Sequence, residues 1–248
     1  MKRIPNLNLS QTEYLTLISQ RITRGGEGII YPGSRPNTLF KIFIDIYDNK
    51  NPMSENKERK VTELFQMNLD GLIKPIRTIS YNGIIIGYEI SYDKNDIALR
   101  DLTLPRQELI KVLKSSRDIL LQLKEKDITY GDVTEDNILY NPKSKKVKFC
   151  DIDNIRLGIY PVDSRGFSLN KYYTETGTID AKADAYMHNL LTIRLLSYPS
   201  NAYDNEVLVD LRRGNYPSKF KLPAKDIFRS MTDTKTFNGE YVVQYVKR

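Results

Sequence analysis

The sequence predicts an α+β protein in two parts, a β-rich first part with one helix and a mainly helical second part. Three observations carry this. Residues 16–90 are mostly short apolar, β-branched runs broken by Gly, Pro and Asn, the pattern of strands and turns. Within them, only 51–69 shows helical spacing. After residue 100 the apolar period becomes that of a helix. The boundary falls in the polar stretch "SYDKND", 91–96, dividing 1–91 from 92–248. A chain of 248 residues can form one large domain or two small lobes around a sizeable core.

The elements follow in order. "LTLISQRIT" (15–23) reads as strand and leads into the glycine-rich turn "RGGEGIIY" (24–31). "PGSRPN" is a hairpin connection into "TLFKIFI". In 51–69, Ser54 is a candidate N-cap, Val61, Leu64, Phe65 and Met67 form the apolar stripe, and Gly71 ends the segment. "IRTISYNGIIIGYEI" places two apolar runs around Asn82-Gly83, the pair favoured in a type I′ turn. In 104–128, Leu109, Val112, Leu113, Ser116, Ile119, Leu120 and Leu123 share one helical face. "ILYNPKSKKVKFCDIDNI" gives two short strands, and 154–180 reads as a long polar loop. "AKADAYMHNLLTIRLLS" (181–197) is apolar nearly all round and should be a buried helix. "PAKDIFRSMT" and "GEYVVQYVK" are two further helical candidates.

Composition narrows the function classes. Hydrophobic content of 40% and charged content of 28% suit a soluble globular chain. No apolar run is long enough to span a bilayer, and the N-terminus lacks the apolar core of a secretory signal. A single cysteine, Cys150, excludes an internal disulfide framework and points to a reducing, cytoplasmic setting. A single histidine, His188, lies in an apolar helical segment and reads as structural. It argues against a Ser-His or Cys-His machine. The net charge of +7 is scattered, and its densest cluster, "KSKKVK" (143–148), reads as a solvated hairpin, which argues against a nucleic-acid partner.

Four pieces carry chemistry. Glycines at 25, 26 and 28 could let backbone N–H groups approach a phosphate. Lys41 sits in the apolar strand "TLFKIF", where an ammonium needs a partner or an exit into a cleft. In "ITYGDVTEDNILYN" (128–141), Asp132 suits acceptance of a hydroxyl proton and Asn137 an uncharged oxygen ligand for magnesium. Glu135 and Asp136 read as solvent-side loop residues. In "KFCDIDN" (148–154), Asp151 and Asp153 alternate at a strand end and could hold a divalent cation.

Taken together, these pieces resemble the protein-kinase family: glycine-rich turn, strand lysine, helix glutamate, D-x-x-x-x-N, then an aspartate closing a short hairpin. The resemblance runs from about residue 20 to 197. It implies a bilobal protein-kinase-like fold, ATP and Mg2+, and a phosphotransferase acting most readily on protein Ser/Thr. Gly25 and Gly28 then match loop glycines, with Gly26 between them and Thr23 in place of the first glycine. Ile30 matches the residue covering adenine, and Lys41 the lysine on the α- and β-phosphates. Glu58 is its first-choice partner, with Glu63 the alternative. Tyr88 matches the gatekeeper, and Glu89, Ile90 and Ser91 the hinge whose backbone reads adenine. Asp132 matches the catalytic aspartate. Asn137 and Asp151 match the magnesium ligands, with Asp153 a further candidate. Asp184 matches the aspartate bracing the catalytic loop.

The departures are specific. "YGD" replaces H-R-D, "DID" replaces D-F-G, Thr134 stands where a lysine is usual, and no A-P-E precedes Asp184. A scaffold of the same fold that binds nucleotide without catalysis, and a small-molecule kinase, are the alternatives. Neither the oligomeric state nor the substrate is legible.

Overall fold

The computed structural model of the chain describes residues 4–24, 28–43, 55–152, 155–162 and 167–247. It divides into two units, Met1–Asp96 and Ile97–Arg248. The first is β-rich with few helices and the second mainly helical, the α+β arrangement that the sequence predicts.

The first unit is built on six strands: β1 (Asn6–Leu9), β2 (Thr23–Arg24), β3 (Gly28–Pro32), β4 (Thr38–Phe43), β5 (Pro75–Tyr81) and β6 (Ile84–Ser91). Their order across the sheet is β1-β5-β6-β4-β3-β2. All neighbours run antiparallel except β1, which lies parallel to β5. The turn between β5 and β6 has Asn82 at φ 50° and Gly83 at φ 76°, the two left-handed residues that a type I′ turn requires. Each face of the sheet carries its own core. Phe40, Ile42, Ile79 and Ile86 pack with Leu9 and Leu17 on one face. Phe43 and Tyr88 pack with Val61 on the other.

Two helices accompany this sheet, α1 (Gln11–Ile18) and α2 (Glu55–Gln66). The first corrects the expectation of strand over 15–23, which holds only at Thr23, the start of β2. Its cause is local. Ser10 Oγ accepts the Glu13 N–H at 3.3 Å while the Glu13 carboxylate accepts the Ser10 N–H at 2.8 Å, a complete capping box. That cap outweighs the strand-like apolar run behind it. The candidate cap Ser54 lies outside the described residues.

In the second unit, α3 (Arg106–Glu125) buries Val112, Leu113, Ser116, Ile119, Leu120 and Leu123, the face that its spacing marks. Each such aliphatic side chain contributes about 1.5–3 kcal/mol on burial. Short strands follow: β7 (Ile97–Ala98), β8 (Ile128–Thr129), β9 (Ile138–Asn141), β10 (Lys146–Phe149) and β11 (Arg156–Leu157). They pair as β10-β9-β7 and β11-β8. The remaining helices are α4 (Phe167–Thr176), α5 (Ala181–Ser197), α6 (Asp204–Arg212) and α7 (Leu222–Thr232).

Helix α5 is buried along most of its length. Its one imidazole is satisfied without solvent: His188 Nε2 lies 3.0 Å from both the Leu113 carbonyl and Ser116 Oγ, and Nδ1 lies 3.3 Å from Thr192 Oγ1. Burial pushes its pKa down to about 4. The segment 240–242 is pinned to the same helix, because Asn189 donates to the Glu240 carbonyl and accepts from the Val242 N–H, each at 2.7 Å.

Three readings of this unit need correction. The expected loop 154–180 contains α4, whose Tyr- and Thr-rich sequence has weak helical propensity. Packing supplies what propensity lacks, with Leu169 and Tyr172 buried and the Tyr172 ring 5.5 Å from that of Tyr186. Helix α6 was not anticipated, although Val207, Leu208 and Leu211 give it a buried stripe. The stretch "GEYVVQYVK" forms only a short 3-10 turn at Val242–Tyr245. Among the described residues, no helix is long and apolar enough to cross a membrane.

Candidate active site

The loop between β8 and β9 carries most of the predicted chemistry. Its first residues are gripped from α5. The Asp184 carboxylate accepts the Tyr130 N–H at 2.7 Å and the Gly131 N–H at 2.8 Å. Gly131 has φ 85°, a conformation that side chains resist, so the turn into Asp132 needs glycine. Burial pushes the Asp184 carboxyl up to about 7, while the two backbone donors pull it back down.

Asp132 and Asn137 meet directly. Asn137 Nδ2 donates to the Asp132 carboxylate at 2.7 Å and to its carbonyl at 3.1 Å. A carboxylate cannot donate, so the amide nitrogen must face it and Oδ1 must face elsewhere. The Asn137 carbonyl accepts the Cys150 N–H at 3.0 Å, one step beyond the Ile138–Phe149 register of the β9–β10 hairpin. Asn137 therefore opens one arm of the hairpin while Asp151 follows the other. Asp151 has φ 55°, a left-handed conformation that Asp tolerates better than most residues. Asp153 lies outside the described residues.

Tyr130 ties these pieces together. It is fully buried, its hydroxyl donates to the Cys150 carbonyl, and its ring lies 4.6 Å from that of Phe149. The sequence marks Tyr130 only as an oddity before Asp132; the structure makes it the link to the residue preceding Asp151.

Glu135 is not a solvent-side residue. Its side chain is 15% exposed and forms a two-point pair with Arg194 of α5, with Arg194 Nη1 donating at 3.0 Å. Burial opposes its charge, but Arg194 holds the carboxyl below its ordinary range. Arg194 also donates through Nε to Asp204 at 3.0 Å. Asp136 remains half-exposed in an ion pair with Arg100, and burial moves its carboxyl upward.

In the first unit, Lys41 is buried in β4, with Ile30 of β3 and Tyr88 of β6 opposite it. Gly28 makes room for it. A Cβ on Gly28 would lie 3.0 Å from Lys41 Cε and 3.1 Å from the Ile42 carbonyl. Gly87, which no sequence motif marks, has a stricter constraint: its Cβ would lie 2.1 Å from the Lys41 carbonyl oxygen. Tyr88 is buried, with its ring edge-on to Phe43 at 5.8 Å.

The α2 glutamates sit differently from each other. Glu58 is exposed and lines a cavity of about 950 Å3 with Thr62, Asn6, Asn8, Thr78 and Ser80. Thr78 and Ser80 belong to β5, two strands from β4. Glu63 is half-buried and Lys60 is fully buried.

Glu89 lies inside the sheet, with Phe40 on one side and Arg77 on the other. Its buried carboxylate accepts from Thr38 at 2.6 Å, from Ser34 and from Arg77. Burial works against the charge, but Thr38 and Arg77 keep the carboxyl below its ordinary range. This side chain anchors the β3–β4 turn. Ser91 ends β6 opposite Thr38, and the next N–H, of Tyr92, donates to the Asn37 carbonyl at 2.8 Å. Gly25 and Gly26 lie outside the described residues.

Among the described residues, no three His, Cys, Asp or Glu side chains converge as on a metal ion. Asn137 Oδ1 and the Asp151 carboxylate are oxygen donors of the kind Mg2+ takes, an ion that keeps several waters and needs few protein ligands beside substrate phosphates.

No protein-family model matches the sequence. A putative serine/threonine-protein kinase of Acanthamoeba polyphaga mimivirus is 27% identical over 197 residues, covering 70% of this chain and 71% of the relative. The likeness is to a kinase. It is a distant one, and it agrees in kind with the resemblance carried by Lys41, Asp132, Asn137 and Asp151.

Proposed function

We propose that this chain is an Mg-ATP phosphotransferase that places the γ-phosphate on a Ser or Thr hydroxyl of a protein. The observation that carries the reading is the 2.7 Å pairing of Asn137 with Asp132, set at the mouth of a hairpin whose other arm leads into Asp151. A base, a neutral oxygen ligand and a carboxylate are thereby supplied by one small framework. The protein acceptor is favoured by the relative's description as a serine/threonine-protein kinase.

The roles follow from the chemistry. Asp132 accepts the hydrogen bond, and finally the proton, of the attacking hydroxyl. Its second partner, Asn137, limits the carboxylate's rotation, so the acceptor oxygen is presented in one orientation. Asn137 Oδ1 and Asp151, with Asp153 as a further candidate, would hold Mg2+, which supplies charge neutralisation on the phosphates. Lys41 supplies a positive charge to the α- and β-phosphates, with Glu58 or Glu63 as its carboxylate partner. Gly25, Gly26 and Gly28 bring backbone close to phosphate. Ile30 offers apolar surface to adenine, the buried Tyr88 holds the gatekeeper position, and the chain leaving β6 at Ser91 offers backbone hydrogen bonds.

A small-molecule acceptor is the second reading, because Gly131 directly precedes Asp132 as in a G-D-x-x-x-x-N loop. The test is incubation of the purified chain with Mg-ATP and a set of model proteins, followed by intact-mass analysis. Phosphate on protein Ser or Thr supports the proposal. ADP release that depends on an added small alcohol or amine, with no phosphoprotein, supports the second reading. Tight Mg-ATP binding without ADP release would overturn both and leave a scaffold.

A further inference from the structure

We infer that Arg194 is a positioning residue for the D-x-x-x-x-N loop, and that α5 holds this loop at two points rather than one. The inference rests on the functional reading above and goes beyond it by assigning a role to a residue outside every motif.

The loop from Tyr130 to Asn137 is gripped at its start by Asp184, through two backbone N–H groups. Its later part is gripped by Arg194, which engages both oxygens of Glu135. Asp184 and Arg194 lie on the same helix, ten positions and therefore about 15 Å apart along its axis. Helix α5 is buried for most of that length, so it forms a stiff bar with a carboxylate near one end and a guanidinium near the other. Asp132 and Asn137 flank the second grip. The far end of the loop is fixed by the bond from the Cys150 N–H to the Asn137 carbonyl, and the Glu135 tie holds the segment between the two ends.

Three details favour this over a plain tie between helices. The pair is sheltered, with side-chain exposures of 11% and 15%, so solvent screens it weakly. Its geometry uses the guanidinium's fork, with Nη1 and Nη2 on Glu135 and Nε on Asp204, a set of donors that lysine cannot reproduce. The Glu135 backbone is held as well, since its carbonyl accepts the Arg100 N–H at 3.1 Å. The sequence lacks an arginine immediately before Asp132, and Arg194 brings a guanidinium to the loop from α5.

The experiment compares wild type with Arg194→Gln, Arg194→Lys, Glu135→Gln and Asp204→Asn. Amide hydrogen exchange over 128–141 reports the grip, and steady-state phosphotransfer reports its consequence. The expected result is faster exchange over 130–138 in the first three variants and not in Asp204→Asn. Their kcat falls about 10²-fold, as for a misplaced catalytic group, with KM for ATP unchanged. The Arg194→Gln/Glu135→Gln double variant is no worse than either single one. Additive losses, or exchange disturbed equally by Asp204→Asn, would overturn the inference and leave Arg194 a tie between α5 and α6. If Arg194→Gln does not fold, Glu135→Gln, which keeps the loop's shape, decides alone. A wild type without phosphotransfer sinks the functional reading, while the exchange pattern still decides whether Arg194 holds the loop.

Discussion

The Asn137 side-chain amide donates to the Asp132 carboxylate at 2.7 Å, and the same residue's carbonyl accepts the N–H of Cys150. Base and ligand candidate are thus one hydrogen-bonded unit. Asn137→Ala removes both the donor and the oxygen ligand. The expected outcome is a fall in kcat of about 10²-fold or more and a higher Mg2+ concentration for half-maximal rate. Titration of rate against Mg2+ checks it. An unchanged Mg2+ dependence would remove Asn137 from the metal.

Tyr130→Phe keeps the buried ring against Phe149 and removes one hydroxyl. The Cys150 carbonyl loses this donor, at a cost of about 0.5–1.5 kcal/mol. Urea unfolding should register that loss. Turnover should fall as well, because the residue after Cys150 is the metal candidate Asp151.

Two glycines beside Lys41 should behave differently. Gly28→Ala presses on the Lys41 side chain at 3.0 Å, which can move, and on the Ile42 carbonyl at 3.1 Å, which must give by a few tenths of an ångström. The prediction is a raised KM for ATP with a modest loss of thermal stability. Gly87→Ala places a methyl 2.1 Å from the Lys41 carbonyl oxygen, where only backbone could give way. That variant should lose the paired β4–β6 strands, visible as a loss of cooperative unfolding.

His188 sets an acid limit on stability. Folding depresses its pKa from 6.5 to about 4, so the unfolded chain binds the proton more readily. Its contribution is present above pH 6.5 and is lost as pH falls toward 4. Two and a half units correspond to about 3 kcal/mol at 1.36 kcal/mol per unit. Asp184 is moved the opposite way, to about 7, so its contribution declines with rising pH over an overlapping range. The difference between wild type and His188→Gln isolates the ring. That difference should shrink as pH falls from 6.5 to 4. Parallel stability curves would contradict the account.

Much of the fold was legible where a single periodicity spoke alone. Helices α3 and α5 announce themselves by their apolar faces, and the β5–β6 hairpin by Asn82-Gly83. Helix α1 was misread, because the apolar run after Ser10 and Glu13 reads as strand although those two residues spell a capping box. Helix α4 was not legible, because its helicity depends on burying Leu169 and Tyr172 rather than on propensity. Within the candidate site, the sequence put Asp132 and Asn137 in one short loop, and the structure hydrogen-bonds them. The pairs Glu135–Arg194 and Glu89–Arg77 could not be read from the sequence. Long-range ion pairs leave no periodic trace, and a carboxylate in a loop looks solvated until its partner is known.

The central claim is chemical: Asp132 serves the transfer of phosphate from Mg-ATP. Phosphate incorporation into protein should therefore be measured for wild type and Asp132→Asn side by side, at equal nucleotide saturation. Asp132→Asn is nearly isosteric and should still bind Mg-ATP. The account predicts incorporation by the wild type and its near-complete loss in the variant. Equal incorporation by both, or none by a wild type saturated with Mg-ATP, would contradict it.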